Sequence, residues 1–202
     1  MGITERKERE RQEKRELILR EATQMFLQEG YEKTSLRSLA DRIEYSAATI
    51  YLYFKDKNEL FFAIHEQAFD YFFAKLSIAA PIANPWDRLQ KMGDLYIEFA
   101  HQNPEFYDLM FIMSQPMVAL AEDCDWDCGF RTFNFLKSTI QECIEQGYMK
   151  KMDLDIAAVS ITSFMHGVVS LVIRKRLKMY PPEQHRALMS GSVEQMMSLM
   201  RA

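Results

Sequence analysis

One short stretch of this sequence combines small residues with aromatic hydroxyls and lysines in an order suited to contact with DNA. Four small residues open it: Ser46, Ala47, Ala48 and Thr49. A helix that begins with such residues can approach base edges in a major groove, where a threonine offers a methyl group to thymine and a hydroxyl for hydrogen bonding. Within two turns follow four residues whose hydroxyl and ammonium groups are usual partners of phosphate oxygens: Tyr51, Tyr53, Lys55 and Lys57. This order predicts a helix that reads DNA.

The elements that would position these residues can be read from residues 34–60. Leu36, Leu39, Ala40 and Ile43 recur at helical spacing, and Ser35 stands where a side chain can cap the first turn. After a short turn, Ser46 can cap a second short helix, and Asp56 followed by Glu59 is typical of a capping box that opens a third helix. Two short helices with capped starts and a tight turn predict a helix-turn-helix.

At this point the sequence resembles a known family. The run GYEKTSLRSLADRIEYSAATIYLYFKDKNELF is similar to the DNA-binding domain of TetR-family transcriptional regulators, and the similarity extends over about residues 14 to 65. The resemblance implies a dimeric repressor or activator that leaves DNA when a small molecule binds its C-terminal domain. It also implies DNA-facing roles for the residues at matching positions: Ser35, Arg37, Ala47, Ala48, Thr49, Tyr51, Tyr53 and Lys57.

The turn between the two short helices departs from the family pattern. The family commonly has Gly-Val where this chain has Glu44–Tyr45. Because glycine is the residue that best tolerates positive φ, its replacement indicates that the geometry of the turn differs from that of the family. A carboxylate at residue 44 would also be unfavourable if it faced DNA phosphates.

Length and composition predict an all-α protein with a small N-terminal domain and a larger C-terminal one. The chain has 202 residues, is 48% hydrophobic and contains only 7 glycines and 6 prolines. We expect a three-helix DNA-binding domain at 1–60, a ligand-binding and dimerisation domain at 61–202, and about nine helices in total. The charged N-terminus is unlike a signal peptide, and we expect no apolar run long enough to span a bilayer. The sequence therefore predicts a cytoplasmic protein that does not enter a membrane, with its three cysteines reduced.

Charge is distributed unevenly along the chain. Residues 1–60 carry 12 Lys and Arg against 12 Asp and Glu, so the net charge of −4 comes from residues 61–202. Affinity for DNA must then depend on a few placed contacts instead of a generally basic domain. Residues 1–14 form a charged extension with two open interpretations. It is either a basic arm that uses Arg6, Lys7, Arg9 and Arg11, or a solvated, frayed helix with pairs such as Glu5–Arg9 and Glu10–Lys14.

The C-terminal part shows a weaker resemblance to the same family. FAHQNPEFYDLMF and FMHGVVSLVIRKRL look like segments of the C-terminal domain found in many TetR relatives, with Met165–His166–Gly167 in place of a Trp-His-Gly signature. The resemblance implies a four-helix dimer interface formed by the last two helices. The wide apolar arc of those helices also indicates an interface, and Gly167 permits close approach.

The helices between Trp86 and Phe164 are rich in methionine and aromatic residues, which suits either an apolar ligand cavity or an ordinary core. The candidate ligand-binding residues are Tyr96, Phe99, Met110, Met113, Trp126, Phe130, Phe133, Phe164 and His166. For each one taken singly, core packing is the simpler interpretation, and for His166 the simpler interpretation is a structural hydrogen bond.

Other chemistry has weaker support in the sequence. Cys124 and Cys128 have helical spacing, but the neighbouring aspartates disfavour a reactive thiolate, so we expect neither metal nor cofactor. The sequence has no nucleophile elbow, P-loop, dinucleotide motif or H-E-x-x-H, and we expect no catalytic residues. Two interpretations remain: a regulator that binds a near-palindromic operator as a dimer and is released by a small, hydrophobic effector, and a helical dimer that has lost DNA recognition and serves as a protein-interaction module.

Overall fold

The apolar periodicity of the sequence corresponds to ten α-helices in a computed structural model that describes residues 2–118 and 126–202. The helices are α1 Ile3–Glu29, α2 Leu36–Arg42, α3 Ala47–Tyr51, α4 Lys57–Leu76, α5 Pro85–Gln102, α6 Pro104–Phe111, α7 Gln115–Val118, α8 Asp127–Glu145, α9 Leu154–Ile173 and α10 His185–Met200. Short 3₁₀ turns lie at Ser77–Ala79 and Pro182–Gln184. Over these residues the protein contains no β-strand, which confirms the predicted all-α class.

Local sequence signals determine several helix ends. Asn84 accepts hydrogen bonds from the amides of Trp86 and Asp87 at 2.9 and 3.3 Å, and Pro85 occupies the first position of α5. Asp153 caps α9 by accepting from the amide of Ile156 at 3.0 Å. Each cap satisfies amides that have no partner within the helix.

The N-terminal extension is helical from Ile3 onward. Its ion pairs differ from the predicted ones, because Arg6 pairs with Glu10 at 2.7 Å and Arg9 with Glu13 at 3.7 Å. Both are i,i+4 pairs, which support an exposed helix by about 0.2–0.5 kcal/mol each.

The chain forms two compact units, which do not follow the predicted boundary at residue 60. The first contains residues 1–68 and 108–125, as far as these are described, and the second contains 69–107 and 126–202. The change between units therefore falls inside α4. The functional division into 1–60 and 61–202 remains a prediction.

The first unit is built around the apolar face of α1. Ile18, Ala22 and Phe26 are buried on this helix, and Leu39 and Ile50 are buried on α2 and α3. Phe26 and Phe61 meet edge to face, with their ring centroids 5.4 Å apart. Burial of such side chains provides about 1.5–3 kcal/mol each, and it holds the short α2 and α3 in place although neither is long enough to be stable alone.

In the second unit, α5 packs against α8, α9 and α10. Arg88 on α5 makes two parallel hydrogen bonds of 2.9 Å to the carboxylate of Glu142 on α8 and donates to the carbonyl of Ile82 at 3.1 Å. Hydrogen bonding by Arg88 lowers the pKa of Glu142. This two-pronged contact fixes the register between the two helices.

Helix α9 differs from the sequence-based expectation. This 20-residue helix contains an 18-residue window with a mean hydropathy of 2.0 and meets the length and composition of a membrane span, although we expected no such segment. Asp155, Ser160, Ser163 and His166 interrupt the apolar run, so that run length alone does not reveal it. Ala158, Ile161, Met165 and Val169 are buried in the second unit, whereas Ile156, Val159 and Leu171 remain exposed. One face of α9 is therefore core and the other is an uncovered apolar surface.

Candidate DNA-binding site

Two serines determine where the short helices of the predicted helix-turn-helix begin. Ser35 accepts a hydrogen bond from the amide of Ser38 at 3.1 Å at the start of α2. At the start of α3, Ser46 accepts from the amide of Thr49, also at 3.1 Å, and its hydroxyl lies 2.8 Å from that of Thr49. Both predicted caps are confirmed. The second one also ties the hydroxyl of Thr49 to the helix start.

The turn after α2 is a Schellman motif with glutamate at the position that favours glycine. The amide of Glu44 donates to the carbonyl of Asp41 at 3.4 Å, and the amide of Tyr45 donates to the carbonyl of Ala40 at 2.9 Å. Glu44 has φ +57°, in the left-handed region. The turn thus keeps the backbone geometry that a glycine would favour. Because glutamate carries a β-carbon, this geometry strains the backbone at residue 44.

We predict that Glu44→Gly stabilises the protein. The left-handed conformation costs a non-glycine residue about 1–2 kcal/mol, and the greater freedom of glycine in the unfolded chain returns about 0.4–1 kcal/mol of that. A net gain of about 0.5–1 kcal/mol should appear in urea unfolding. Asp41→Gly is the matched control, since Asp41 is exposed within α2 and its replacement by glycine should cost about 0.3 kcal/mol, the difference between the two helix propensities. Equal losses in both variants would contradict the strain at residue 44.

The predicted DNA-facing residues lie along the surface of the first unit. Ser46, Ala48, Tyr51, Lys55 and Arg37 are exposed, while Ser35, Ala47, Thr49, Tyr53 and Lys57 are half-buried. Tyr51 has 56% of its surface exposed although tyrosine is a residue that readily packs. Ile50 and Phe54, between and beside these residues, are fully buried and anchor α3 to the core. An anchored short helix with its first turn and its tyrosine open to solvent can enter a groove without rearrangement.

At the start of α4, Asp56 and Glu59 cap the helix in a slightly different way from the predicted box. Asp56 accepts from the amide of Glu59 at 2.8 Å, as expected. The carboxylate of Glu59 accepts from the amide of Lys55 at 2.7 Å, one residue before the predicted partner. Two carboxylates therefore accept hydrogen bonds from backbone amides where α3 is connected to α4.

Lys57 has an internal role that the sequence did not indicate. Its ammonium donates to the carbonyl of Tyr31 at 2.6 Å and lies 3.8 Å from the centroid of the Tyr31 ring. Burial lowers the pKa of Lys57, and the nearby Glu32 opposes that change. The lysine joins the end of α1 to the start of α4. One of its three donors is used in this way, so the predicted phosphate contact remains a prediction.

We predict that Lys57→Met costs about 1.5–3 kcal/mol of stability, because it removes a charge-assisted hydrogen bond and a cation–π contact while it keeps the aliphatic stem. Urea unfolding measures this loss. If Lys57 also binds phosphate, the salt dependence of DNA binding should fall by about one unit. Lys55→Met is the control, since Lys55 is exposed and no contact of its ammonium is seen in the described part of the chain. Equal stability of the two variants would contradict the anchoring role.

The candidate ligand-binding residues are divided between the two units. Met110 and Met113 belong to the first, and the other seven belong to the second. Within the second unit, Phe72 lies between Tyr96 and Phe99, with centroid distances of 5.4 and 4.8 Å. Phe133 and Phe164 are half-buried, whereas Phe130 is 57% exposed and lies 6.3 Å from the ring of Trp126. The ligand-binding assignment of these residues remains a prediction.

A tyrosine missed from sequence reasoning lies at the centre of the aromatic group in the second unit. Tyr107 is fully buried, and its hydroxyl lies 2.8 Å from Nδ1 of His166 and donates to the backbone carbonyl of His166 at 3.1 Å. Its ring also meets that of Tyr96 at 6.2 Å. Burial lowers the pKa of His166, which favours a neutral imidazole. The structural hydrogen bond expected for His166 is present. A buried tyrosine gave no local signal, because its partner lies 59 residues away.

The structure gives no support to thiol chemistry at the residues it describes. Cys124 lies outside the described residues, whereas Cys128 and Cys143 are buried thiols. Burial raises the pKa of Cys143 to about 11, which keeps it protonated at neutral pH. No group of three potential metal-ligating side chains occurs over the described ranges.

The first unit has the architecture of a helix-turn-helix protein: a supporting α1, two short capped helices and an exposed second helix of the pair. Comparison with known proteins agrees. Residues 18–64 match the family model for bacterial regulatory proteins of the tetR family, and residues 89–196 match the tetracyclin repressor-like C-terminal domain. The chain belongs to the TetR family of transcriptional regulators.

The relatives found in bacteria are distant in sequence, and those with solved structures are similar in fold. The HTH-type transcriptional regulator HbdR of Aromatoleum sp. (strain CIB) is 22% identical over 156 residues, or 77% of this chain and 68% of that protein. A TetR-family regulator from Pectobacterium atrosepticum superposes with a TM-score of 0.72 at 20% identity, covering 94% of this chain and 93% of the other. The fatty acid degradation regulator FadR from Bacillus halodurans gives 0.68 at 18%, covering 90% and 93%.

Proposed function

We propose that this protein is a ligand-responsive repressor that binds a near-palindromic operator as a homodimer in the cytoplasm. The observation that carries the proposal is the exposed, serine-capped α3, held by the buried Ile50 and followed by the exposed Tyr51 and Lys55. Thr49 and Ala48 would contact base edges, and Tyr51, Tyr53, Lys55 and Lys57 would contact phosphates. Ser35 and Arg37, at the start of α2, would contact the backbone beside the same groove.

The uncovered surface of α9 and α10 supports the homodimer. Apart from Asp155 near the helix start, the exposed residues of α9 recur at three- and four-residue spacing: Ile156, Val159, Ser160, Ser163, Gly167 and Leu171. A β-carbon built on Gly167 of α9 or on Gly191 of α10 would meet no atom within 4 Å. Each helix therefore has open space beside its glycine. An apolar stripe with small residues at its centre suits close packing of a helix against its own copy. Two copies would place two α3 helices in successive major grooves, about 34–36 Å apart.

For the effector we propose a small, largely apolar molecule that binds in the second unit, beside the aromatic group of Tyr96, Phe99 and Tyr107. These side chains would provide apolar contact, and the phenol and imidazole of Tyr107 and His166 would provide a polar anchor. The name of one structural relative, a regulator of fatty acid degradation, is compatible with such a ligand. Binding would act on α4, which begins beside α3 and continues into the second unit, and would lower affinity for the operator.

The test is fluorescence anisotropy with the DNA upstream of the protein's own gene, against a scrambled duplex of equal length, at several salt concentrations. A preference of about a thousandfold that persists at physiological salt is the expected result. Thr49→Ala should change which duplexes bind, whereas Lys55→Ala should weaken all duplexes alike. If no duplex from a random-sequence selection is preferred either, the repressor proposal fails and the interaction module becomes the better interpretation.

A further inference from the structure

The first four turns of α1 form a charged surface that the helix-turn-helix does not use. Every residue whose side chain is described between residues 4 and 14 is exposed, and the helix is continuous with the part that covers the core. Residues 3–16 carry six basic and five acidic side chains, so that their net charge is small. What distinguishes this segment is how the charges are arranged around the helix.

Four basic residues occupy one side of the helix. At about 100° per residue, they fall within a sector of roughly 100°. They are Lys7, Arg11, Lys14 and Arg15. The same sector, continued along the helix, contains Ile18, Ala22 and Met25, which are buried against the rest of the first unit. This basic stripe therefore extends from the apolar face that covers the helix-turn-helix core.

The cations on the opposite side of the helix are paired with carboxylates, whereas Lys7, Arg11 and Lys14 of the basic stripe are not, over the described residues. Arg6, Arg9 and Arg20 are paired with Glu10, Glu13 and Glu21, with N–O distances of 2.7, 3.7 and 3.5 Å. In the described part of the chain, no carboxylate oxygen lies within 4.0 Å of a charged nitrogen of Lys7, Arg11 or Lys14. Since the acidic side chains of the extension are partly neutralised on the far side, the basic stripe presents a concentrated positive charge.

One contact connects the basic stripe to the DNA-reading face. The guanidinium carbon of Arg15 lies 5.1 Å from the centroid of Phe54, which is buried between the predicted phosphate contacts Tyr53 and Lys55. The basic stripe thus begins beside the connection from α3 to α4. From Arg15 to Lys7 it extends for about 12 Å along the helix axis.

We propose that the basic stripe binds the sugar-phosphate backbone of the DNA that flanks each half-site. This inference rests on the proposed function, and it adds a second binding surface to the helix-turn-helix. A duplex offers one phosphate per strand for about every 3.4 Å of axis, so that about 12 Å of stripe matches about three or four phosphates. The helix presents its cations in a fixed row, and the contact therefore needs no ordering of a flexible arm.

The test compares two triple variants that remove equal charge from the same helix. The stripe variant is Lys7→Gln, Arg11→Gln, Lys14→Gln, and the control is Arg6→Gln, Arg9→Gln, Arg20→Gln. Arg15 is retained because it packs on Phe54. Both variants and the unchanged protein are titrated by anisotropy over a range of salt concentrations. The probe is a duplex selected from random sequence by the unchanged protein, prepared with long and with trimmed flanks.

On the long duplex, the slope of log affinity against log salt should fall by about 0.9 for each phosphate that the variant no longer neutralises, and hence by up to about 5 for three cations in each of two protomers. The control should change little, and trimming the flanks should remove the difference between the variants. Equal slopes for the two variants on the long duplex would overturn the inference and leave the proposed function intact. Absence of any sequence preference in the unchanged protein would overturn both.

Discussion

Gly167→Trp is expected to convert the proposed homodimer into a folded monomer. Within one protomer a β-carbon at residue 167 meets no atom within 4 Å, so that the larger side chain projects from α9 without disturbing the core. In the proposed dimer the same side chain would separate the two copies of α9, because the exposed stripe would pack through its small central residues. Light scattering should then report one chain per particle. Operator affinity should fall by about 10²- to 10⁴-fold, since the two half-sites would no longer be bound together.

A matched variant separates this effect from a general effect of an added tryptophan. Asn134 is exposed on α8, outside the stripe, so Asn134→Trp should remain dimeric and bind DNA as the unchanged protein does. Circular dichroism should show equal helix content for both variants. A dimeric Gly167→Trp with unchanged affinity would contradict the proposed interface.

The free energy of unfolding should fall by about 2 kcal/mol between pH 7 and pH 5 because of His65. This residue is fully buried on α4, and burial lowers its pKa to about 4 from an ordinary value of 6.5. The unfolded chain therefore takes up a proton in a range where the folded chain does not. Stability is complete above pH 6.5 and is lost as the pH falls through 6.5 towards 4, with a total of about 3 kcal/mol at 1.36 kcal/mol per pH unit.

The variant that tests this is His65→Leu, which keeps an apolar side chain of similar size and removes the titration. Its stability should vary less with pH between 7 and 5 than that of the unchanged protein, whatever its absolute value. The lowered pKa values of Glu98 and Glu142 act mainly below pH 4.5, outside this window. His166→Gln is the second variant, because burial also lowers the pKa of that histidine. An unchanged pH dependence in His65→Leu would contradict the assignment.

The features predicted best from sequence depend on neighbouring residues. The caps at Ser35, Ser46 and Asp153 follow from the sequence because a capping side chain and the amide it serves lie three residues apart. At Glu44 the missing glycine is visible in the sequence, whereas the retained positive φ is seen only in the structure.

The features that sequence reasoning missed depend on contacts between distant residues. Lys57 meets Tyr31 across 26 residues, and Tyr107 meets His166 across 59. The abundance of methionine and aromatic residues suggests the ligand candidates, but it does not show which side chains lie close together. In the structure, Met110 and Met113 belong to one unit, and Phe99 and His166 belong to the other. In α1, by contrast, the helical spacing of the basic residues in the sequence already places the basic stripe on one side of the helix. Only the observed ion pairs show which of the cations in α1 are paired with carboxylates.

The balanced charge of residues 1–60 affects how the protein is shared among the DNA sequences of a cell. In a cell, very many unrelated DNA sites compete with the operator for the regulator. The general attraction of the protein to phosphate determines what fraction of the molecules is bound at those sites. Here 12 acidic residues offset 12 basic ones, and the ion pairs on the far side of α1 neutralise cations outside the basic stripe. Weak retention at unrelated sequence leaves a larger fraction of the molecules free. Fewer copies per cell are then sufficient to keep one operator occupied.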